Sequence, residues 1–304
     1  MTPNGRGALY MVLGMAGFAV EDALVKVIAT RLPPGEILVV LGFCGAALFA
    51  SVARARGVRV LTRAALQPAL LGRNVAEMVG TFGYVLAVAF SPLTTATAIF
   101  QATPLATTMG AALFLGEAVG WRRWLAIVAG FGGVLLVVRP GAEGFAPASL
   151  IAVVAAFGLS ARDLFTRRIS RSTDSMLLTT WGFFAVGLVG VAQLAVSGGG
   201  AWPDGVEWAW LAAAVVAGSV GYWFLTESTR LGDLAAVMPF RYARLLFALF
   251  LGVAVFGERP DALALLGMAV IVASGLYAFG RERARARAEA QAVERAVAEA
   301  AGLP

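Results

Sequence analysis

Two stretches of the chain decide its fold when laid side by side: Gly17-Phe18-Ala19-Val20-Glu21-Asp22-Ala23-Leu24-Val25-Lys26 and Gly158-Leu159-Ser160-Ala161-Arg162-Asp163-Leu164-Phe165-Thr166-Arg167. Gly17 and Gly158, Asp22 and Asp163, and the bases Lys26 and Arg167 each lie 141 residues apart. The same offset pairs Leu9 with Leu150, Val79-Gly80 with Val220-Gly221, Leu93 with Leu234, and Gly116-Glu117 with Gly257-Glu258. One spacing kept along the length of each half marks an internal repeat.

Working outward, apolar runs cover approximately residues 7–29, 36–53, 66–90, 93–115 and 121–138, then 147–166, 176–196, 206–229, 234–256 and 262–279. Breaks such as Leu32-Pro33-Pro34-Gly35 and Arg139-Pro140-Gly141 separate several of them. Of the 304 residues, 60% are hydrophobic and 14% charged, against ~45–50% and ~25% in soluble domains. The mean hydropathy is +0.82. Ten spans of ~20 residues would use roughly 200 residues, which this chain supplies. The fold expected is an all-α membrane protein of ten transmembrane helices. A soluble enzyme, a disordered chain and a secreted disulfide scaffold are excluded. Each half holds five spans, and an odd number brings the second half in from the opposite side. The expected domains are therefore two inverted five-helix repeats, residues 7–140 and 147–280, followed by a charged cytoplasmic tail, 281–304.

The chain has no histidine, and Cys44 is its single cysteine. Histidine-ligated haem, His/Cys zinc sites, Ser–His or Cys–His nucleophiles and an internal disulfide are thus ruled out. No cofactor and no metal is expected. The net charge of +6 and pI near 10.2 do not point to nucleic acid, because the arginines lie between apolar runs or in the last residues. Arg54, Arg56, Arg59 and Arg63 fill the second connection, and Arg167, Arg168 and Arg171 the sixth. The seventh-to-eighth loop has only Asp204 and Glu207, so the positive-inside bias puts both termini in the cytoplasm. The first run is long, carries Glu21, Asp22 and Lys26 near its end, and lacks a small-residue cleavage site, so no removable signal peptide is expected. The Arg/Glu/Ala-rich tail reads either as a helix near anionic lipid headgroups or as a solvated extension.

Inverted repeats are a recurrent plan of secondary transporters, with the solute near the midplane and alternating access by rocking of one half against the other. No Gly-x-x-x-x-Gly-Lys-Ser/Thr loop occurs, so a gradient or exchange would supply the driving force. The residues also resemble a known family. Pro92-Leu93-Thr94-Thr95-Ala96-Thr97-Ala98-Ile99, Pro104-Leu105, Leu115-Gly116-Glu117, Gly120-Trp121-Arg122-Arg123-Trp124 and Arg139-Pro140-Gly141 are similar to the EamA-type domain of the drug/metabolite transporter superfamily. In the second half, Pro239-Phe240-Arg241-Tyr242, Phe256-Gly257-Glu258-Arg259-Pro260-Asp261 and Gly275-Leu276-Tyr277 resemble a second such domain. The resemblance spans nearly all of residues 7–280. It implies a transporter of the bacterial inner membrane for a small polar or amphipathic metabolite, since relatives move amino acids, nucleosides, vitamins, S-adenosylmethionine and drugs.

Ionisable side chains inside apolar spans are costly and usually face the bundle interior or water. On the third run Arg73 and Glu77, spaced i, i+4, form either an internal bridge or a cavity wall. On the ninth, Arg241 and Arg244 flank Tyr242 just after Pro239, whose ring frees a backbone carbonyl. Gln101 precedes Pro104 on the fourth, and Tyr222 and Glu227 lie on the eighth. These eight residues are the candidate solute-binding set. Leu245 stands at the repeat position of Pro104, so the fourth and ninth runs should bend differently. Asp22/Lys26 and Asp163/Arg167 are candidate gating pairs, each read as an i, i+4 acid–base pair. Glu117 and Glu258 are read as caps on the helix that follows each. Glu77 or Asp22 is a candidate carrier of a coupled proton. Rival readings are a channel or lipid scramblase, and an intramembrane hydrolase in which Asp22 and Asp163 share a proton. Lipids are expected as surroundings.

Overall fold

The computed structural model describes residues 2–141, 145–170, 172–231 and 234–300. Helix covers all ten expected runs, and no strand occurs among the described residues. In order these are α1 (Pro3–Ile28), α2 (Pro34–Ala55), α3 (Pro68–Phe90), α4 (Leu93–Phe100), α5 (Thr103–Phe114), α6 (Trp121–Val138), α7 (Ala148–Arg167), α8 (Ser175–Val196), α9 (Gly205–Leu231), α10 (Leu234–Val237), α11 (Ala243–Phe256) and α12 (Ala262–Ala300). Among the described residues, 7 helical stretches are long and apolar enough to cross a membrane by length and composition. The stretches α1, α3 and α4–α5 are not among those 7. The charges of α1 and α3 lower their hydropathy, and the fourth run is divided in two.

The fourth run breaks at Gln101-Ala102, where Pro104 at the start of α5 cannot continue the ladder. The ninth run breaks through a 3₁₀ turn over Met238–Tyr242, which contains Pro239. The two interruptions differ in kind, as the unmatched prolines require, yet Gln101 and Tyr242 sit at the same repeat position. Beyond Tyr277 the last helix runs on without interruption to Ala300, so the start of the charged tail continues α12 instead of forming a separate element.

The bundle has an apolar core, yet it also exposes large apolar side chains and buries charged and amide ones. Leu246, Phe250, Phe114, Leu113 and Val128 stand on the outside, all more than half exposed, while Asp22, Arg73, Asn74 and Gln101 are buried. Lipid accounts for the first group, and the second needs partners inside. Helix contact relies on glycine, as is usual where lipid removes the hydrophobic drive. A Cβ on Gly17 would fall 2.9 Å from the Gly221 Cα. A Cβ on Gly158 would likewise fall 2.9 Å from the Gly80 Cα. These crossings join α1 to α9 and α7 to α3, and replacing each residue by its counterpart 141 positions away turns one crossing into the other. The pairs α2 with α8 and α6 with α12 complete the framework.

Candidate functional site

Between these crossings lies a cavity of about 440 Å³. Both halves of the chain contribute to its wall, the first through α1, α2, α3 and α4 and the second through α7, α8, α9 and α11 with its preceding turn. Four carboxylates (Glu21, Asp22, Glu77, Asp163) and four guanidiniums (Arg73, Arg162, Arg241, Arg244) face it.

Six of these eight charges are joined in two neutral clusters. Arg244 grips Asp22 with two hydrogen bonds, Nη2 to Oδ1 at 2.7 Å and Nε to Oδ2 at 2.9 Å. The Tyr84 hydroxyl donates to the same carboxylate at 3.0 Å and accepts from Arg244 at 3.3 Å. The rings of Phe18, Tyr84 and Phe100 lie 4.9–5.3 Å from the guanidinium carbon, so its faces as well as its edges are occupied. In the second cluster Glu77 receives Arg73 at 3.2 Å and Arg162 at 3.3 Å, while Arg162 also holds Asp163 at 2.8 Å. Burying ions is tolerable only with such pairing. Gly182 leaves room for Arg73, since a Cβ there would meet Nη1 at 2.8 Å.

Beside the cavity lining, two ion pairs tie the halves together. Lys26, next to the lining residue Val25, lies 3.7 Å from Glu258 and donates to the Ser91 carbonyl at 2.5 Å. Glu258 in turn accepts from the backbone N–H groups of Leu93 (2.5 Å) and Thr94 (3.0 Å) and from the Thr94 hydroxyl (2.8 Å). Arg167, next to the lining residue Thr166, bonds Glu117 at 2.5 Å. Lys26 and Arg167 share a repeat position, as do Glu258 and Glu117, so the two bridges are counterparts. Their surroundings differ: the first pair is 16% and 10% exposed, the second 43% and 44%.

A family model described as the EamA-like transporter family matches residues 5–139 and again 146–279. The chain belongs to the EamA-like transporter family. Its relatives include an S-adenosylmethionine uptake transporter of Rickettsia felis, 27% identical over 91% of this chain and 93% of its own. A riboflavin transporter of Rhizobium johnstonii is 31% identical over 71% of this chain and 72% of its own. The pseudopaline exporter CntI of Pseudomonas aeruginosa is 27% identical over 88% and 93%. A solved crystal structure shares the fold with a TM-score of 0.62, at 20% identity, over 90% of this chain and 98% of that one. This EamA-like chain is a multi-pass membrane protein and a small-molecule transporter.

Of the eight residues expected to bind solute in this EamA-like transporter, Arg73, Glu77, Gln101, Tyr222, Arg241 and Arg244 line the cavity. Gln101 also has a structural task, donating at 3.1 Å to the Arg241 carbonyl in the turn before α11. Two residues do not line it. Tyr242 turns away against Gly275, where an added Cβ would land on its hydroxyl. Glu227 lies two residues beyond the lining residue Leu225, towards the end of α9. The expected gating pairs are re-partnered: Asp22 takes Arg244 and Tyr84 in place of Lys26, and Asp163 takes Arg162 in place of Arg167. For Asp22 the partner comes from across the bundle, whereas Asp163 is held by the adjacent residue of its own helix, Arg162, which also reaches across to Glu77. Asp22 and Asp163 both face the cavity, but each is bound by its own arginine, so the shared-proton pair of an aspartyl hydrolase is not formed. Glu258 does cap a helix, though it is α4 across the bundle, not the helix that follows it. Glu21, Tyr84 and Arg162 were not singled out by sequence as solute contacts. A usable signal existed, because Glu21 and Arg162 are charges of opposite sign at one repeat position inside apolar runs.

Proposed function

We propose that this chain is a secondary-active transporter of a bacterial inner membrane, with both termini cytoplasmic. It moves a small polar or amphipathic metabolite by alternating access of two inverted five-helix repeats. The observation that carries this reading is the ionised cavity formed jointly by the two halves, with counterpart ion pairs between the halves next to its lining. A volume of about 440 Å³ falls in the ~300–1,000 Å³ range of small-molecule sites. The crossed glycine contacts support inversion, because each half then meets the other through the same surfaces from opposite sides.

Arg73, Glu77, Tyr222, Arg241 and Arg244 form the solute-facing wall in this reading. Lys26–Glu258 and Arg167–Glu117 act as the two gates, and Asp22 and Asp163 belong to the wall between them. The buried bridge closes its end, while the exposed bridge leaves the other end the more open. Asp22 or Glu77 carries a coupled proton only by parting from its arginine as solute binds; uptake that ignores an imposed pH gradient removes this coupling. The test of the reading is counterflow in proteoliposomes, with labelled amino acids, nucleosides, riboflavin and S-adenosylmethionine. Saturable exchange of one solute, lost when Asp22 and Arg244 are both neutralised, is expected. Non-saturable flux would indicate a channel and refute the reading.

A further inference from the structure

With six of the eight cavity charges joined in neutral clusters, Glu21 and Arg241 remain. Among the described residues neither has an opposite charge within ion-pair distance. Arg244 attracts Glu21 through space, but its hydrogen bonds go to Asp22 and Tyr84. Asp163 attracts Arg241 through space, and among the described residues its guanidinium contacts the Met238 sulfur at 4.0 Å.

The repeat explains why Glu21 is left over. Its counterpart, 141 residues on, is Arg162, and Arg162 is neutralised by Glu77. The counterpart of Glu77 is Gly218. The Glu21 carboxylate lies over Gly218, where an added Cβ would stand 2.5 Å from Oε1 and 2.7 Å from Oε2. One crossing therefore holds a closed acid–base pair, and the equivalent place in the other holds an acid facing a glycine. A polar group in the interior of a span needs a partner, and the fold leaves this one open to the cavity.

We propose that the solute supplies both missing partners: it is a zwitterion whose ammonium or sulfonium group is received by Glu21 and whose carboxylate is received by Arg241. This rests on the transporter reading and specifies the chemistry of its solute. A purely anionic solute would leave Glu21 uncompensated, and a purely cationic one would leave Arg241 so. Phe18, on the same helix as Glu21 and lining the same cavity, offers an apolar surface beside the cation subsite.

The experiment uses the full chain in lipid nanodiscs and measures affinity by calorimetry for a matched series. L-tryptophan and S-adenosylmethionine (a carboxylate with an ammonium and a sulfonium, net +1) are the probes of zwitterionic type, tryptamine the cation, indole-3-propionate the anion and riboflavin the neutral probe. At least one zwitterion should bind about tenfold or more tightly than every singly charged or neutral probe. Glu21→Gln and Arg241→Gln should each weaken it roughly 10- to 100-fold, the range for losing a hydrogen bond to a charged group. Glu21→Gln should leave indole-3-propionate no weaker. Gly218→Ala keeps every charge and displaces only the carboxylate, so it should weaken the zwitterion several-fold while the melting temperature holds. The proposal is overturned by equal binding of riboflavin or a singly charged probe, by binding of no zwitterion, or by a monodisperse Glu21→Gln protein within about twofold of wild type. Saturable counterflow of riboflavin with no zwitterion bound would sink this proposal and leave the transporter reading standing. Absence of counterflow for every solute would sink the transporter reading itself.

Discussion

The two bridges that are counterparts in sequence should be unequal in energy, and the difference can be measured. Glu258 holds the N-terminus of α4 through two backbone N–H groups and a hydroxyl, and faces Lys26 in surroundings only 10–16% exposed. A carboxylate at a partly buried helix N-terminus contributes up to about 2 kcal/mol. Breaking a buried pair costs about 3–5 kcal/mol, because the surviving charge is stranded. Lys26 keeps the Ser91 carbonyl and the face of Phe256, so the pair's share falls towards the low end. Glu258→Gln should then weaken the sealed arrangement by about 2–4 kcal/mol, which is roughly 30- to 1,000-fold in its opening equilibrium. The counterpart Arg167–Glu117 is more than 40% exposed, where a pair contributes about 0–1 kcal/mol. Glu117→Gln should therefore change opening less than about fivefold.

Thiol labelling reads this difference. Cys44 is the native cysteine, so Cys44→Ser gives a silent background. Ser91→Cys places a reporter at a site only 4% exposed, and Thr166→Cys places one on the cavity lining beside the Arg167–Glu117 bridge. In proteoliposomes, an impermeant thiosulfonate should modify the Ser91→Cys reporter slowly in the parent and at least about 30-fold faster with Glu258→Gln. The Thr166→Cys reporter should react readily in the parent. Equal acceleration by Glu117→Gln and Glu258→Gln at the Ser91→Cys reporter would refute the reasoning, and so would a Glu258→Gln effect under threefold.

Three further outcomes follow from the same contacts. Arg244→Gln strands the Asp22 carboxylate and should cost about 3–5 kcal/mol in thermal unfolding, and adding Asp22→Asn should recover much of the loss; an unchanged melting temperature in the single variant would contradict the bridge. Tyr242→Phe should leave solute affinity within about twofold, because its hydroxyl lies against Gly275 and not in the cavity; a large loss measured by calorimetry would put it back in the wall. Hydrogen bonds from Arg139, with the Ala264 N–H adding to them, hold the Asp261 carboxyl down at about 2. Its folded value lies below the ordinary one, so its contribution to stability is present above about pH 4 and lost as pH falls towards 2. The melting difference between wild type and Asp261→Asn should shrink over that window.

The helices were legible residue by residue, because hydropathy and prolines act locally: the ten apolar runs and the observed helical stretches differ by only a few residues at most ends. Six of eight candidate wall residues were legible too, since a charge inside an apolar run must face inward wherever its partner is. The partners were not. Asp22 and Lys26 share a helix face, and nothing within that helix says that Arg244, 222 residues away, will take the aspartate. The offset contained part of the answer. Lys26 and Arg167 share one repeat position and Glu258 and Glu117 another, so a two-fold arrangement admits the two cross-half bridges at once, whereas i, i+4 pairs leave both glutamates without bases.

The molecule pairs a symmetric framework with an asymmetric lining. In the alternating-access mechanism proposed above, the two opposed states need to be close in free energy, and interchangeable contacts such as Gly17 on Gly221 and Gly80 on Gly158 would make exchange between them cheap. A solute has no such two-fold symmetry. Its site must be made from positions where the halves disagree, and those are the positions where charge has been added or removed: Glu77 against Gly218, Arg162 against Glu21, Arg241 against Phe100. Backbone contacts keep the repeat, and the charged cavity side chains other than Asp22 and Asp163 break it. Specificity in this chain is thus to be sought at the mismatched repeat positions. Exchanging a mismatched residue for its counterpart, as in Gly218→Glu, should abolish solute affinity, whereas Gly221→Ala, at a matched position, should act on stability instead. A Gly218→Glu protein that bound its solute with unchanged affinity would break this link between mismatch and recognition.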